Sequence, residues 1–264
     1  NHQVEVFHER ATLTGPNEVR LTSGRTIAAG KILIATGARP NMPAIDGIEH
    51  AISSYEVFHL DRIPKRIVIA GGGYIANEFA GIFHQSRSHV IVVNRSGVIL
   101  RGYDEQMRDR LLQISMTKGI EFRFNASFNR IEKREDGGLF VDMEGCDDIE
   151  ADAVLFATGR VPNVQGLGLE EVGVELGESG QIKVDVNSQT SVASIFAVGD
   201  VTDRIQLTPV AIREGHAFGD REFGGNPWTV NYDCVPHAVF SHPPIASVGM
   251  TEGEARNRLG QVRT

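Results

Sequence analysis

The chain contains 264 residues, of which 41% are hydrophobic, and it carries a formal net charge of −8 with an isoelectric point of about 5.6. This length suits one large domain or two ordinary ones, and the hydrophobic fraction is enough to build a sizeable core. The acidic balance argues against nucleic acid and anionic membranes as partners, and no apolar run approaches the length of a membrane span.

The two cysteines, Cys146 and Cys234, lie far apart and form no C-x-x-C or similar pair. We therefore predict neither a metal site nor a disulfide framework, and each cysteine is expected to be a packed thiol. Because no signal peptide opens the chain, the expected location is the reducing cytoplasm.

The first 64 residues predict a small antiparallel sheet, a buried strand and a loop. Apolar and polar residues alternate from Val4 to Ile27, which is typical of a strand meander. Ile32 to Ala35 is a short apolar run that ends at Thr36-Gly37 and predicts a buried strand. Residues 41–64 are rich in turn residues, and one short helical stretch is expected near 55–60.

A glycine-rich turn follows the next strand and predicts a dinucleotide site. The apolar run Ile67 to Ala70 leads into Gly71, Gly73 and Ala76, which fill the small positions of G-x-G-x-x-G/A before a helical pattern. The first glycine allows the tight turn, the second lets the backbone approach a pyrophosphate, and the third small residue packs helix against strand. The strand from His89 to Val93 follows at the spacing of a βαβ unit. The alternative, a glycine turn that binds nothing, remains open here.

The end of this second strand indicates which cofactor the site prefers. NAD sites carry an acid about 20 residues after the glycines, where it accepts hydrogen bonds from the ribose 2′-hydroxyl. Here Asn94 and Arg95 end the strand, and Arg101 follows. Guanidinium groups pair with a 2′-phosphate that an acid would repel, so we predict NADPH. Two solvated surface arginines are the alternative.

Beyond this unit the pattern predicts an inserted domain that returns to its host. A helix is expected from about Asp104 to Lys118, ended by Gly119, and three strands follow it. The segment Val154 to Arg160 then repeats the apolar strand and Ala-Thr-Gly of residues 32–37. We interpret the two copies as the crossings between the host domain and the inserted one.

Two further features lie in the second part of the host. An apolar strand ends at Gly199-Asp200, where an acid lies at the ligand-binding edge of an α/β sheet. A helix is predicted to run to about Phe223, with Thr208 as N-cap and Pro209 as its first residue. A new strand pattern begins at Val235.

Together these segments resemble the flavoprotein disulfide reductases with two dinucleotide-binding domains, the class I pyridine nucleotide-disulfide oxidoreductases. Within that family, Leu-Thr-Pro-Val-Ala at 207–211 and the two arginines are most similar to the glutathione and trypanothione reductase branch. The motifs that carry the resemblance are Ala35-Thr36-Gly37, Gly71 to Ala76, Ala157 to Arg160, Thr190 to Asp200, Leu207 to Ala211, and Phe240 to Gly249.

The resemblance implies an α/β fold in which a Rossmann-like NADPH domain is inserted in a partial FAD-binding domain, followed by the start of an α+β dimerisation domain. The implied ranges are 1–64 for the partial FAD domain, 65–157 for the NADPH domain, 158–232 for the continued FAD domain and 233–264 for the start of the C-terminal interface domain.

The resemblance also implies a role for each site residue, and it implies no metal. For NADPH these residues are Gly71, Gly73, Tyr74, Ile75, Ala76, Glu78, Arg95, Arg101 and Arg160, with Tyr74 and Glu78 next to the site of hydride transfer. For FAD they are Thr36, Gly37, Asp200, Leu207 and Thr208.

By resemblance the whole enzyme is an NADPH-dependent, FAD-containing disulfide reductase of redox homeostasis, homodimeric, with glutathione disulfide as its substrate. The family's FAD-binding G-x-G-x-x-G, its C-x-x-x-x-C pair and its H-P-x-x-x-E are absent from these residues, and Ser247 lies where that Glu is expected after His242-Pro243. We therefore expect a fragment that is inactive alone. The alternatives are an NADPH-binding module without turnover, or a related reductase of the trypanothione, mercuric or lipoamide type.

Overall fold

A computed structural model describes residues 4–263, which form strands, four α-helices and three short 3₁₀ helices. The strands are β1 (Ala11–Gly15), β2 (Glu18–Leu21), β3 (Thr26–Ala28), β4 (Ile32–Ile34), β5 (Ala38–Pro40), β6 (Ile52–Ser53), β7 (Arg66–Ala70), β8 (His89–Asn94), β9 (Glu121–Phe124), β10 (Ser127–Lys133), β11 (Leu139–Glu144), β12 (Ile149–Ala151), β13 (Ala153–Phe156), β14 (Arg160–Pro162), β15 (Ile195–Ala197), β16 (His237–Val239) and β17 (Ile245–Ser247). The α-helices are α1 (Tyr74–Gln85), α2 (Glu105–Lys118), α3 (Thr208–Glu222) and α4 (Glu252–Leu259), and the 3₁₀ helices are Ile48–His50, Glu56–His59 and Gly199–Thr202.

The chain divides into two compact units, each made of two stretches of sequence. The first unit comprises Asn1–Arg39 and Val161–Asp233, and the second comprises Pro40–Arg160 and Cys234–Thr264. The units change near residues 39 and 160, close to the two Ala-Thr-Gly copies interpreted as the crossings, whereas the implied first domain range ended at residue 64. The difference at residue 64 arises because β6 pairs in parallel with β13, so residues 40–64 belong with the inserted sheet. The cofactor assigned to each unit stays a prediction.

The second unit is built on a five-stranded parallel sheet with the strand order β6-β13-β7-β8-β9. Its central strands are apolar along almost their whole length, as expected for strands covered on both faces. In β7, Ile67 and Ile69 pack against α1, whereas Val68 and Ala70 pack against the antiparallel sheet β10-β11-β12. The result is a three-layer Rossmann-like unit, which confirms the predicted α/β fold.

Helices α1 and α2 show how local sequence sets the boundaries of elements in this unit. α1 presents Phe79, Ala80 and Phe83 to the sheet at helical spacing, and all three are buried. α2 begins after Asp104, whose carboxylate accepts the N–H of Gln106 at 3.1 Å, and ends at Gly119 with φ at 105°. The predicted helix and its glycine end are confirmed.

The first unit contains the antiparallel sheet β1-β2-β3, the parallel pair β4-β15 and α3. The predicted meander is confirmed from Ala11 onward, but residues 4–10 form no strand, and Asn1 to Gln3 lie outside the described residues. α3 starts one residue earlier than predicted, because Leu207, not Thr208, is the extended N-cap residue. Among residues 4–263, no helix is both long and apolar enough to cross a membrane.

Candidate dinucleotide and flavin sites

The two glycines of the turn between β7 and α1 serve different purposes. Gly71 has a φ of +122°, and a Cβ on it would lie 2.4 Å from the carbonyl oxygen of Ala157. The fold itself therefore requires this glycine. Gly73 is extended, with φ at −78°, and a Cβ on it would meet no atom within 4 Å. Because the fold leaves that space open, a pyrophosphate can approach the backbone there.

The start of α1 is arranged to receive an anion. No side chain among the described residues caps this helix start. The buried side chain of Asn77 donates from Nδ2 to the carbonyl oxygens of Gly73, at 2.8 Å, and Gly72, at 3.1 Å. These bonds hold the carbonyls of the turn in place. Because no carboxylate among the described residues caps the helix start, the positive end of the helix dipole is not offset there. Ala76, the third small position, is fully buried against the sheet.

Asn94 ends β8 at the position where an NAD site carries an acid. Its Nδ2 donates to the carbonyl oxygen of Val98 at 2.7 Å and to Oγ of Ser96 at 3.0 Å. The N–H of Leu100 donates to the carbonyl oxygen of Gly72 at 2.7 Å. The loop after β8 is thus folded back onto the glycine turn, and it needs an amide donor at its base.

Arg95 and Arg101 lie on this loop, and both are exposed. Within residues 4–263, no salt bridge or side-chain hydrogen bond engages either guanidinium. Several other arginines of this unit, such as Arg66 and Arg130, are paired with carboxylates. Two cations on one loop, next to a turn that can take a pyrophosphate, suit a second phosphate group of the same ligand.

The residues predicted for the nicotinamide end lie on the first two turns of α1. Tyr74 is 41% exposed, and Ile75 and Glu78 are half-buried. Oε1 of Glu78 accepts the backbone N–H of Phe240 at 2.9 Å, which fixes the direction of this carboxylate.

Tyr103 was not predicted and lies beside these residues. Its ring packs edge-on against His237 with 5.6 Å between ring centroids. Burial, and then the neighbouring Glu78 and Tyr74, raise the pKa of the Tyr103 hydroxyl. No sequence motif marks this residue, because its surroundings come from three separate segments of the chain.

Arg160 is the last of the predicted NADPH residues and ends the first of the two stretches that form the second unit. Its Nη2 donates to the hydroxyl of Tyr55 at 3.3 Å, and its guanidinium lies over the Tyr55 ring at 5.8 Å from the centroid. All nine residues predicted for NADPH therefore lie in one compact unit.

The five residues predicted for FAD all lie in the first unit. Thr36 donates from Oγ1 to the carbonyl oxygen of Asn163 at 2.8 Å, and Gly37 has a φ of +68° with open space where a Cβ would lie. Asp200 is half-buried in the 3₁₀ turn that follows β15. Leu207 and Thr208 form the start of α3, which no side chain among the described residues caps.

Glu214 of α3 is a buried carboxylate that the sequence analysis missed. It is 2% exposed, and its Oε2 accepts the backbone N–H of Gly199 at 2.6 Å. Its Oε1 accepts the hydroxyl of Tyr232 at 2.6 Å. The helical spacing from Val210 to Ala217 and Phe218 places position 214 on the buried face, which is the only signal that the sequence offers.

The residues present fit a dinucleotide at the glycine turn: open space, an uncapped helix start and two exposed arginines occur on connected loops. The first unit offers a second, smaller set around Asp200 and the start of α3. Among residues 4–263, no cluster of three or more His, Cys, Asp or Glu side chains is arranged to hold a metal ion. Both cysteines are free thiols, and burial raises the pKa of Cys146.

Comparisons with known proteins agree with this arrangement. Residues 1–215 match the family model described as pyridine nucleotide-disulphide oxidoreductase. The chain is 49% identical over 262 residues to a glutathione reductase from Burkholderia cepacia, which covers 99% of this chain and 58% of that protein. It is 43% identical to a trypanothione reductase from Trypanosoma congolense over 89% of this chain and 49% of that protein.

Among solved structures, the HOCl-induced flavoprotein disulfide reductase from Escherichia coli is similar, with a TM-score of 0.92 and 30% identity over 98% of this chain and 60% of that one. The chain therefore spans about half to three fifths of the length of these relatives. Because the family model covers most of these residues, the chain belongs to the pyridine nucleotide-disulphide oxidoreductase family.

Proposed function

We propose that this chain is the nucleotide-binding part of an NADPH-dependent, FAD-containing disulfide reductase of the glutathione reductase type. It holds the NADPH site and part of the FAD site. The observation that carries this proposal is the loop from Asn94 to Arg101, which is bonded to the glycine turn and presents two exposed arginines.

When bound, the two cofactors supply hydride transfer from NADPH to FAD and onward reduction of a disulfide. The residues of this chain bind and orient. The N–H groups of the first turn of α1 and the open backbone at Gly73 face the pyrophosphate, and Arg95 and Arg101 pair with the 2′-phosphate. Tyr74, Ile75 and Glu78 border the nicotinamide, and the Phe240 N–H holds the Glu78 carboxylate in place.

Asp200, Leu207 and Thr208, with Thr36 and Gly37, are proposed to contact FAD. An acid after a β-strand can accept hydrogen bonds from ribityl hydroxyls, and the start of α3 favours the electron-rich edge of a flavin ring. Cys146 and Cys234 form no C-x-x-x-x-C pair, so neither is proposed as a catalytic thiol. The isolated chain is therefore proposed to bind nucleotide without turning over a disulfide.

Glutathione disulfide is the proposed substrate of the whole protein, because relatives named glutathione reductase share up to 49% identity with this chain. Trypanothione disulfide is the second candidate, favoured by the 43% identity to trypanothione reductases. We further propose a homodimer in the cytoplasm, and the two free thiols are consistent with a reducing compartment. Native mass measurement and fractionation of cells test these last two points.

The decisive experiment titrates the purified chain with NADPH and NADH while flavin absorbance is read on the same sample. Wild-type protein should bind NADPH far more tightly than NADH. Each lost arginine–phosphate pair is worth about 1.5–3 kcal/mol, so Arg95→Ala should weaken NADPH by roughly 10–150-fold and leave NADH unchanged. Arg110→Ala is the matched control, since Arg110 is an exposed arginine on α2 whose side chain, within the described part of the chain, bonds Gln113 alone.

Equal binding of NADPH and NADH by the wild-type chain contradicts the phosphate role of the loop. The same conclusion follows if Arg95→Ala and Arg110→Ala behave alike. Activity of the whole protein toward glutathione disulfide, compared with trypanothione disulfide, then decides between the two substrates.

A further inference from the structure

The first unit contains a buried polar network that no ligand role yet explains. Glu214 of α3 is its centre, with one carboxylate oxygen on the Gly199 N–H and the other on the Tyr232 hydroxyl, each at 2.6 Å. Nη1 of Arg204 donates to the same hydroxyl at 2.8 Å and lies 3.7 Å from Oε1 of Glu214. Nη2 of Arg204 also donates to the carbonyl oxygen of Asp185.

A buried carboxylate is costly unless it is paired and hydrogen-bonded. The pairing here is complete: Arg204 offsets the charge, Tyr232 donates to one oxygen, and the backbone donates to the other. Burial and then the bond to Glu214 raise the pKa of Tyr232 to about 12, so the hydroxyl keeps its proton and remains a donor. The network is therefore a rigid support, not a proton relay at neutral pH.

The support acts at one point of the backbone. Gly199 has a φ of +74°, and a Cβ on it would lie 3.3 Å from Cβ of Ala211 on α3. It begins the 3₁₀ turn that carries Asp200, and Thr202 closes this turn by donating to the Gly199 carbonyl oxygen at 2.9 Å. The Glu214 bond is thus the link between α3 and the residue directly before Asp200.

We propose that Glu214 is a positioning residue of the flavin site, which holds the Gly199–Asp200 peptide in place through the Gly199 N–H. This inference rests on the proposed contact of Asp200 with FAD. Tyr232 and Arg204 contribute indirectly, since Tyr232 donates to the Glu214 carboxylate and Arg204 lies beside it, and both contacts fix its direction. The reach of the carboxylate to Gly199, and not its charge alone, is what the flavin site depends on.

Two conservative variants separate reach from charge. Glu214→Gln keeps the length of the side chain and an oxygen for the Gly199 N–H, but it loses the charge. Glu214→Asp keeps the charge, but it is about 1.5 Å shorter by one C–C bond and cannot span to Gly199. FAD affinity is measured by quenching of flavin fluorescence on flavin-free protein that contains this sequence, and urea unfolding of the same samples reports stability.

The expected order is a loss of FAD affinity of at least tenfold for Glu214→Asp and of no more than threefold for Glu214→Gln. If Glu214 acted through its charge alone, Glu214→Gln would lose more FAD affinity than Glu214→Asp. If its role were purely structural, both variants would lose FAD affinity equally, in step with their loss of stability in urea. Either variant is decisive if the other does not fold. A loss of tenfold in Glu214→Gln, or of less than threefold in Glu214→Asp, overturns the inference.

A double-mutant cycle with Asp200→Asn tests whether Glu214 acts through Asp200. The double variant Asp200→Asn, Glu214→Asp should bind FAD no more weakly than whichever single variant binds it less tightly, because the two substitutions remove the same contact with FAD. Losses that multiply overturn the inference. A wild-type protein that binds no FAD, or an Asp200→Asn variant with wild-type affinity, overturns the proposed FAD role of Asp200 and this inference with it.

Discussion

Adding one methyl group to either glycine of the β7–α1 turn should have different effects: Gly71→Ala should reduce stability, whereas Gly73→Ala should weaken nucleotide binding. In Gly71→Ala, the new Cβ lies 2.4 Å from the carbonyl oxygen and 2.9 Å from the carbonyl carbon of Ala157, at a φ of +122°. Ala157 continues from β13, whose residues pair in register with β7, so its backbone cannot move away without breaking the sheet. Backbone strain of about 1–3 kcal/mol and overpacking of about 1–3 kcal/mol together predict a loss of about 2–6 kcal/mol in the free energy of unfolding.

Gly73→Ala is the matched variant for binding. Its φ of −78° suits any residue, and the new methyl group meets no atom within 4 Å, so the free energy of unfolding should change by less than about 1 kcal/mol. The methyl group instead occupies the space proposed for the pyrophosphate. Loss of one charge-assisted bond of about 1.5–3 kcal/mol predicts roughly 10–150-fold weaker binding of NADPH and NADH alike, because both carry the same pyrophosphate.

Urea unfolding measures the first effect, and nucleotide titration by fluorescence measures the second. Gly73→Ala should weaken the binding of both nucleotides, whereas Arg95→Ala should weaken the binding of NADPH alone. A Gly73→Ala protein that binds both nucleotides like wild type would refute the placement of the pyrophosphate. A Gly71→Ala protein of wild-type stability would refute the close approach to Ala157.

Three further outcomes are expected. Asn94→Asp should destabilise the loop by about 1–3 kcal/mol, because a carboxylate cannot donate to the Val98 carbonyl, and titration should show weaker NADPH binding without a gain for NADH. The hydrogen bond from Arg66 lowers the pKa of Asp152 in the folded state. This carboxylate therefore stabilises the fold above the unfolded-state pKa of about 3.9, and the stabilisation is lost as the pH falls through the lower pKa of the folded state. Asp152→Asn should therefore cost about 0.5–1 kcal/mol at pH 7, since both side chains are partly exposed, and nothing near pH 2 in urea unfolding. Phe83→Ala should cost about 3–5 kcal/mol, because Phe83 is 2% exposed in the core under α1.

Local patterns predicted the elements that depend on neighbouring residues. The glycine turn, the cap of α2 and the buried strand β7 each follow from a few consecutive side chains, and their structures match. The assignment of residues 40–64 was harder, because β6 has only two residues and is recognisable as part of the parallel sheet only through its pairing with β13.

The parts of the site that the sequence did not predict depend on partners distant in the chain. Asn77 looks like an ordinary helix residue until its amide is seen to bond the carbonyls of Gly72 and Gly73. Helical spacing places Glu214 on the buried face of α3, but nothing in the sequence indicates that its carboxylate accepts the Gly199 N–H. A pattern of polar and apolar residues cannot report such bonds, because it contains no information about which distant backbone group lies opposite.

Asn94 shows most clearly how structure changes the argument about the cofactor. In the sequence, the absence of an acid at this position indicated the ligand, because a carboxylate would repel a 2′-phosphate. In the structure the same side chain serves the protein, because its amide donates to Val98 and so holds the loop of Arg95 and Arg101 beside the glycine turn. An acid here would remove the donor and add a negative charge at once. The proposed preference for NADPH is therefore built into the folding of the loop, and a change of cofactor would require redesign of residues 94–101 together.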